Sequence, residues 1–331
     1  MQVSIIVPAY NVSNYIGVCV DSIRRQSFSN WELLIIDDGS TDNSLDICQE
    51  YSEVDSRIRV FHQHNSGQGT ARNHALTLAN GEYICFIDAD DLLIDENTLA
   101  KSVEYLDNNS EIDIIQFPYI RFKDHQELNS SEKPFYENIT ILNSKKEFIE
   151  HTDIINSVRP TEKVLKTAPW GKLYRARLFE GIRFPERMVF EDTYMFCSLF
   201  EKTNKIAFVN TGLYGNFERV GSTTCGVPAA WKMEDKIKAF CEIFATLQKY
   251  SPDKYLHSQF YIWMLNLISA FYSMFGKNFH IEDELSFIIS RKSCLYNSGA
   301  LGRIILTLGI SNYIRLRSSY YIAKALFIRK Q

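Results

Sequence analysis

The chain is short of paired cysteines. It carries seven in 331 residues, an odd number, and none forms a C-x-x-C pair. A disulfide framework and a paired-cysteine metal ribbon are therefore not expected. Cys19, Cys48 and Cys85 sit among apolar residues, as free thiols do in a reducing, cytosolic compartment. A glycine-rich phosphate loop is also missing. The first apolar run ends in Pro8-Ala9-Tyr10-Asn11, without the G-x-G-x-x-G of a dinucleotide-binding oxidoreductase. The glycine-rich basic loop of a sugar-phosphate nucleotidyltransferase is absent from the same place. No basic leader precedes Val3, so no secretory signal is expected. Tyr255 to Gly276 has no charged residue, but His257, Gln259 and Asn266 make it too polar for an unassisted span of about 20 residues. It is expected to be a buried or membrane-facing helix.

Acidic residues are absent from Leu285 to Gln331, where eight basic ones occur: Arg291, Lys292, Arg303, Arg315, Arg317, Lys324, Arg329 and Lys330. The whole chain is nevertheless acidic, with a formal net charge of −4. An acidic body argues against nucleic acid as a partner. A basic tail suits an anionic membrane surface, and equally a solvated basic face.

Apolar patterning along the first hundred residues alternates strands with helices. Val3 to Val7, Glu32 to Ile36, Ile58 to Phe61 and Tyr83 to Ile87 read as strands. Ile16, Val20 and Ile23 recur at helical spacing, Ser40-Thr41-Asp42 are good caps for a second helix, and Thr70 to Ala79 reads as a third. This alternation predicts a parallel sheet with helices on both faces, whose ligands bind beyond the carboxyl ends of the strands. Further on, Ile112 to Tyr119, Lys205 to Val209 and Leu213 to Phe217 are expected strands, Asp124 to Asn143 an expected loop, and the chain from about Ala229 helical.

Polar clusters stand at those strand ends: Pro8 to Asn11, Asp37-Asp38-Gly39-Ser40-Thr41-Asp42, Asn65 to Asn73, and Asp88-Ala89-Asp90-Asp91. Carboxylates spaced i, i+2 after a buried strand can hold a hard divalent cation together with a sugar hydroxyl. A lone D-x-D means little in a chain with 40 acids; its place after Tyr83 to Ile87 gives it weight.

Taken in order, these segments resemble the inverting family 2 glycosyltransferases of the GT-A fold, of the bacterial surface-polysaccharide type. The resemblance covers roughly residues 3 to 225, through D-D-G-S-T-D, Asn65-x-Gly67-x-x-x-Ala71-Arg72-Asn73 and Asp88-Ala89-Asp90-Asp91. It implies an α/β nucleotide-diphospho-sugar transferase fold with a mostly parallel central sheet and a helical C-terminal extension. Residues 1–225 would form the catalytic domain, with 1–105 the nucleotide-sugar half and 106–225 the acceptor half, and 226–331 the helical region.

The resemblance further implies that Pro8 and Tyr10 flank the nucleobase and that Asp38 accepts from its imide, as for a UDP donor. Arg72 would lie near the nucleotide, Asp88 on the ribose, and Asp90 on a Mn²⁺ or Mg²⁺ that bridges to the diphosphate. Glu191-Asp192 follows Trp170-Gly171-Lys172-Leu173-Tyr174, similar to the family's W-x-K-L-Y segment, which makes Asp192 the catalytic base. Trp170, Lys172, Glu191 and Arg219 are expected contacts to acceptor or diphosphate. Phe217 departs from the family pattern, in which another Arg is common there, and the Q-x-x-R-W of processive synthases is absent. The expected activity is transfer of one sugar from a nucleotide sugar to a saccharide acceptor, lipid-linked, in surface-polysaccharide assembly. The expected location is cytoplasmic, peripheral on the inner face of the membrane. A catalytically inactive nucleotide-sugar-binding subunit is the alternative, opposed by the intact Asp90 and Asp192.

Overall fold

The computed structural model describes residues 2–123, 138–159, 163–219 and 228–328, with side chains as far as Ile322. The strands are β1 (Val3–Ala9), β2 (Trp31–Asp37), β3 (Ile58–His62), β4 (Tyr83–Phe86), β5 (Leu92–Leu93), β6 (Ile114–Gln116), β7 (Tyr119–Phe122), β8 (Thr140–Leu142), β9 (Lys172–Arg175), β10 (Ile206–Phe208) and β11 (Tyr214–Phe217). The helices are α1 (Ile16–Arg24), α2 (Ser44–Val54), α3 (Gln68–Leu78), α4 (Thr98–Asn108), α5 (Lys145–Glu150), α6 (Asp153–Asn156), α7 (Glu191–Phe200), α8 (Ala230–Tyr250), α9 (Lys254–Phe275), α10 (Glu282–Ser290), α11 (Gly299–Leu308) and α12 (Ile310–Ile328). They fall into two compact units, Met1–Ser144 with Ala168–Gly226, and Lys145–Thr167 with Val227–Gln331. Residues 145–167, expected in the acceptor half, thus group with the C-terminal helices.

The first unit is built on a mostly parallel sheet of order β3-β2-β1-β4-β9-β6-β10-β8, in which β9 and β8 run antiparallel to their neighbours. Every residue of β1 and β2 is buried, which is why both read as continuous apolar runs rather than alternating ones. Pro8 is tolerated inside β1 because the ladder to β4 stops at Ile6↔Phe86. The strand expected over Ile112 to Tyr119 divides at Pro118. Its first part, β6, joins the large sheet, and β7 joins a second sheet of order β5-β11-β7. Thr140 to Leu142, expected within a loop, pairs as an edge strand with β10; residues 124–137 of that loop lie outside the described residues.

At the carboxyl ends of β1 and β2 the loops are stitched to each other. The Thr41 amide donates to Asn11 Oδ1 at 2.8 Å, the Asn11 amide to Ser40 Oγ at 3.1 Å, and the Val12 amide to Ser44 Oγ at 2.8 Å. Gly39 has φ +76°, and a Cβ there would stand 2.7 Å from the Asn65 amide nitrogen, so the turn admits only glycine. Asp42, rather than Ser40 or Thr41, serves the start of α2, accepting from the Ser44 amide at 3.0 Å.

In the second unit α9 is the core element. Leu256, Phe260, Tyr261, Met264, Leu265 and Ile268 are all buried, and Asp253 caps its start by accepting from the Leu256 amide at 2.9 Å. Its polar residues find internal partners. Tyr261 donates to the Ile288 carbonyl at 2.7 Å and Ser258 to the Cys294 carbonyl at 2.5 Å. Against α9 lies α12, through Tyr313 donating to Asn266 Oδ1 at 2.8 Å and Ser318 to the Ser269 carbonyl at 2.8 Å. No helix among the described residues is long and apolar enough to cross a membrane.

Phe86, at the end of β4, is fully buried, and its ring meets Tyr174, Phe179 and Phe184 edge-on at 5.9, 5.5 and 5.6 Å. Phe86→Ala opens a cavity among three rings and is expected to cost about 3–5 kcal/mol. Urea unfolding followed by tryptophan fluorescence should show a lowered midpoint for the first unit.

Candidate active site

Asp38 sits just beyond β2 and is 3% exposed. Its Oδ1 accepts from Gln63 Nε2 at 2.7 Å and from the Ser66 amide at 2.9 Å, and its Oδ2 accepts from the Gly67 amide at 2.8 Å. Ser66 and Gly67 lead directly into α3, so the carboxylate satisfies donors at that helix entrance. An ionised carboxylate has about four lone-pair sites, which leaves room for one further donor. Asp37, fully buried, takes His62 Nδ1 at 2.7 Å on Oδ2. Pro8 is buried in β1, and Tyr10 beyond it is 47% exposed, a free aromatic face at the mouth of the sheet.

The loop after β4 gives its three carboxylates different surroundings. Asp88 accepts on Oδ1 from Arg72 Nη2 at 3.0 Å and Gln68 Nε2 at 3.1 Å. Burial and the nearby Asp90 and Asp192 charges push Asp88 upward from the usual carboxylate range, against the pull of Arg72. Asp91, 1% exposed, turns inward to β11. Tyr214 donates to its Oδ2 at 2.6 Å, the Phe217 amide to its Oδ1 at 2.7 Å, and Asn216 Nδ2 to both oxygens. Burial and its two acidic neighbours hold its pKa well above the ordinary value. Asp91 therefore fastens the loop to the second sheet.

Asp90 remains partly exposed. Arg219 Nε donates to its Oδ2 at 2.6 Å, while Oδ1 has no partner among the described residues. No group of three His, Cys, Asp or Glu side chains gathers there among the described residues. A divalent cation at Asp90 would thus have one protein carboxylate and would take its other ligands from water and phosphate oxygens. That donor set suits Mg²⁺ or Mn²⁺.

Glu191 and Asp192 form the first turn of α7, where the positive end of the helix favours carboxylate charge. Arg72, 2% exposed, donates through Nη1 to Glu191 Oε1 at 2.6 Å and so links this turn to Asp88. Asp192 is partly exposed, accepts from the Thr193 amide at 2.7 Å, and lies within electrostatic reach of both Asp88 and Arg72. Trp170 and Lys172 are both buried. The Trp170 ring stacks on Tyr214 with centroids 5.0 Å apart, and the fully buried Lys172 donates to the Ala168 carbonyl at 2.5 Å. The structure therefore joins Arg72, Asp88 and Glu191 in one hydrogen-bonded network, with Asp90, held by Arg219, two residues along the loop from Asp88, and Asp192 next to Glu191. Tyr214 and Asn216, which no motif singled out as anchors of Asp91, reach that loop from β11.

A mostly parallel α/β sheet with acidic residues at its carboxyl edge is the GT-A glycosyltransferase arrangement. Residues 4–177 match the family model described as Glycosyl transferase family 2, and the chain belongs to that family. The glycosyltransferase GlyA of Streptococcus pneumoniae is 36% identical over 227 residues, 67% of this chain but only 31% of GlyA. GlyG of the same organism is 31% identical over 224 residues, 66% of this chain and 72% of GlyG. The crystal structure of Staphylococcus aureus TarS 1-349 in complex with UDP-GlcNAc superposes with a TM-score of 0.67 at 23% identity, covering 97% of this chain and 91% of that one. This likeness confirms the expected fold.

Burial, opposed by Arg72 and reinforced by Asp192, raises Glu191 to about 7. The folded chain then keeps a proton that the unfolded chain releases near the ordinary glutamate value, so this residue's contribution to stability falls as pH rises from about 4.5 to about 7. Glu191→Gln is expected to flatten that part of the stability–pH curve, measured by urea unfolding at several pH values.

Proposed function

We propose that the chain is an inverting, metal-dependent glycosyltransferase that moves one sugar from a UDP-sugar to an acceptor hydroxyl. The observation that carries this reading is the Arg72 bridge from Asp88, in the loop after β4, to Glu191, which brings the start of α7 with Asp192 to that loop. Donor-side and acceptor-side carboxylates then serve one reacting centre. Tyr10 offers the nucleobase a face, Asp38 has a lone pair left for an imide N–H, and Asp88 can accept from a ribose hydroxyl. The UDP-GlcNAc complex of the structurally similar TarS supports a uridine donor.

Asp90 would hold the divalent cation, which would supply positive charge to the departing diphosphate. Arg219 is placed beside Asp90 to pair with phosphate oxygens once it leaves that carboxylate. Asp192 takes the proton from the acceptor hydroxyl as its oxygen attacks the anomeric carbon opposite the leaving group, which inverts that centre. Glu191, protonated or paired with Arg72, supports the turn beside it.

The test is UDP release and product formation from UDP-sugars such as UDP-GlcNAc and UDP-glucose, with Mn²⁺ and with chelator. Asp192→Asn should bind UDP like the wild type and lose transfer by about 10² or more. A product with retained anomeric configuration by NMR, or full activity in excess chelator, would refute the reading. UDP binding with no turnover under any condition would favour an inactive binding subunit.

The acceptor is a saccharide carried on lipid in surface-polysaccharide assembly, reached by docking of the basic C-terminal region on an anionic leaflet. Support comes from the exposed Leu301, Ile304 and Leu308 on α11 and Leu316 and Tyr320 on α12, next to the exposed Arg303 and Arg315. Ile314, on the opposite stripe of α12, is 5% exposed. Each basic residue near an anionic surface contributes about 1 kcal/mol. Co-sedimentation with anionic liposomes should be strong at low salt, fall as salt rises, and weaken when Arg303, Arg315 and Arg317 become Gln. Protein left in the supernatant at low salt would make the tail purely structural.

A further inference from the structure

Helix α3 opens at the donor side, where Asp38 accepts from the Ser66 and Gly67 amides, yet three of its residues look the other way. Gly69, Arg72 and Asn73 stand at i, i+3 and i+4, on one face of the helix, and each touches the segment that leads into α7. Asn73, 8% exposed, grips Phe184 twice: Nδ2 donates to its carbonyl at 2.9 Å, and Oδ1 accepts from its amide at 2.8 Å. Arg72 lies over the Phe184 ring with Cζ 5.4 Å from the centroid, and holds Glu191 at the other end of the segment. At Gly69 the segment comes so close that a Cβ would stand 2.6 Å from the Pro185 carbonyl oxygen and 3.0 Å from Glu191 Cγ.

The segment needs such a hold. Arg187 and Phe190 adopt φ values of 55° and 63°, left-handed backbone that non-glycine residues avoid. Phe190 is the N-cap of α7, and its left-handed backbone is part of what sets the direction in which Glu191 and Asp192 leave the loop. Conformations of this kind persist only where surrounding contacts over-determine them. Here α3 supplies contacts at both ends of the strained stretch, at Phe184 and Pro185 on one side and Glu191 on the other.

We propose that Gly69, Arg72 and Asn73 are positioning residues for Asp192: α3 is a rigid jig that holds the 184–191 segment in its strained turn and keeps the base aligned with the donor loop. This rests on Asp192 being the acceptor-side base. It gives the Ala71-Arg72-Asn73 motif a task on the acceptor side of the reaction, although it is read first as part of the nucleotide site. Asn73 discriminates best, because among the described residues its side chain bonds only to Phe184, whereas Arg72 also holds Asp88.

The test compares wild type, Asn73→Ala, Gly69→Ala and Asp192→Asn in three measurements. These are UDP affinity by calorimetry, turnover of UDP-GlcNAc or UDP-glucose, and amide hydrogen exchange by mass spectrometry. Asn73→Ala and Gly69→Ala should keep the UDP dissociation constant within about two-fold, lower kcat by about ten-fold or more, and speed exchange in residues 184–193 but not in 38–42; a 1 Å misplacement can cost that much. Weakened UDP binding with kcat retained would make Asn73 part of the donor site. Wild-type kcat with only a lowered unfolding midpoint would make the grip purely structural; either result overturns the proposal. Asp192→Asn separates the two levels. If it keeps full turnover, the base assignment fails and the jig with it; if it alone loses turnover, only the jig fails. Should Asn73→Ala not fold, Asn73→Asp, which keeps the acceptor for the Phe184 amide and loses the donor, carries the same comparison.

Discussion

Negative charge crowded at the carboxyl end of β4 is the constraint around which the first unit is arranged. Asp88, Asp90 and Asp91 follow one another within four residues, and Glu191 and Asp192 approach from α7. In a partly buried setting such carboxylates repel, and each needs its own remedy. Asp88 and Glu191 share the Arg72 guanidinium, Asp90 takes Arg219, Asp91 is enclosed by donors from β11, and Asp192 rests on the N-terminus of α7. Removing any one remedy leaves a charge uncompensated near the others, so the surrounding loops are tied to this spot.

The consequence is a division of labour between neighbours. Asp90 and Asp91 are adjacent and chemically identical, but one faces outward with an oxygen to spare and the other is consumed by Tyr214, Asn216 and Phe217. A loop pinned on its inner side by Asp91 presents Asp90 in a defined place. The same logic governs Asp38, whose carboxylate is mostly occupied in ordering the entrance of α3 before any ligand arrives.

How much of this could be read directly from the chain depends on the range of the interaction concerned. The buried strands and the D-D-G-S-T-D and D-x-D clusters at their ends were legible, because patterning and turn chemistry act over a few residues. The second sheet was not. The break at Pro118 that sends β7 away from β6 is visible as a proline, but the strand it then joins lies almost a hundred residues further along. The edge strand Thr140–Leu142 is three residues long and gains its pairing from β10, so a short polar setting concealed it.

By itself the sequence determined the alternation of strands and helices over the first hundred residues and which carboxylates stand at the strand ends, since these follow from local periodicity and turn chemistry, and its motif segments carried the resemblance to the family. Only the tertiary structure decided what each charged or polar side chain meets. Lys172, readable as a ligand contact, is sealed in the sheet, and Arg72, readable as a nucleotide neighbour, reaches across 119 positions of sequence to Glu191. The reason is physical. Burial and ion pairing depend on distance in space, and no local pattern records which distant carboxylate a folded helix will place 2.6 Å from a guanidinium.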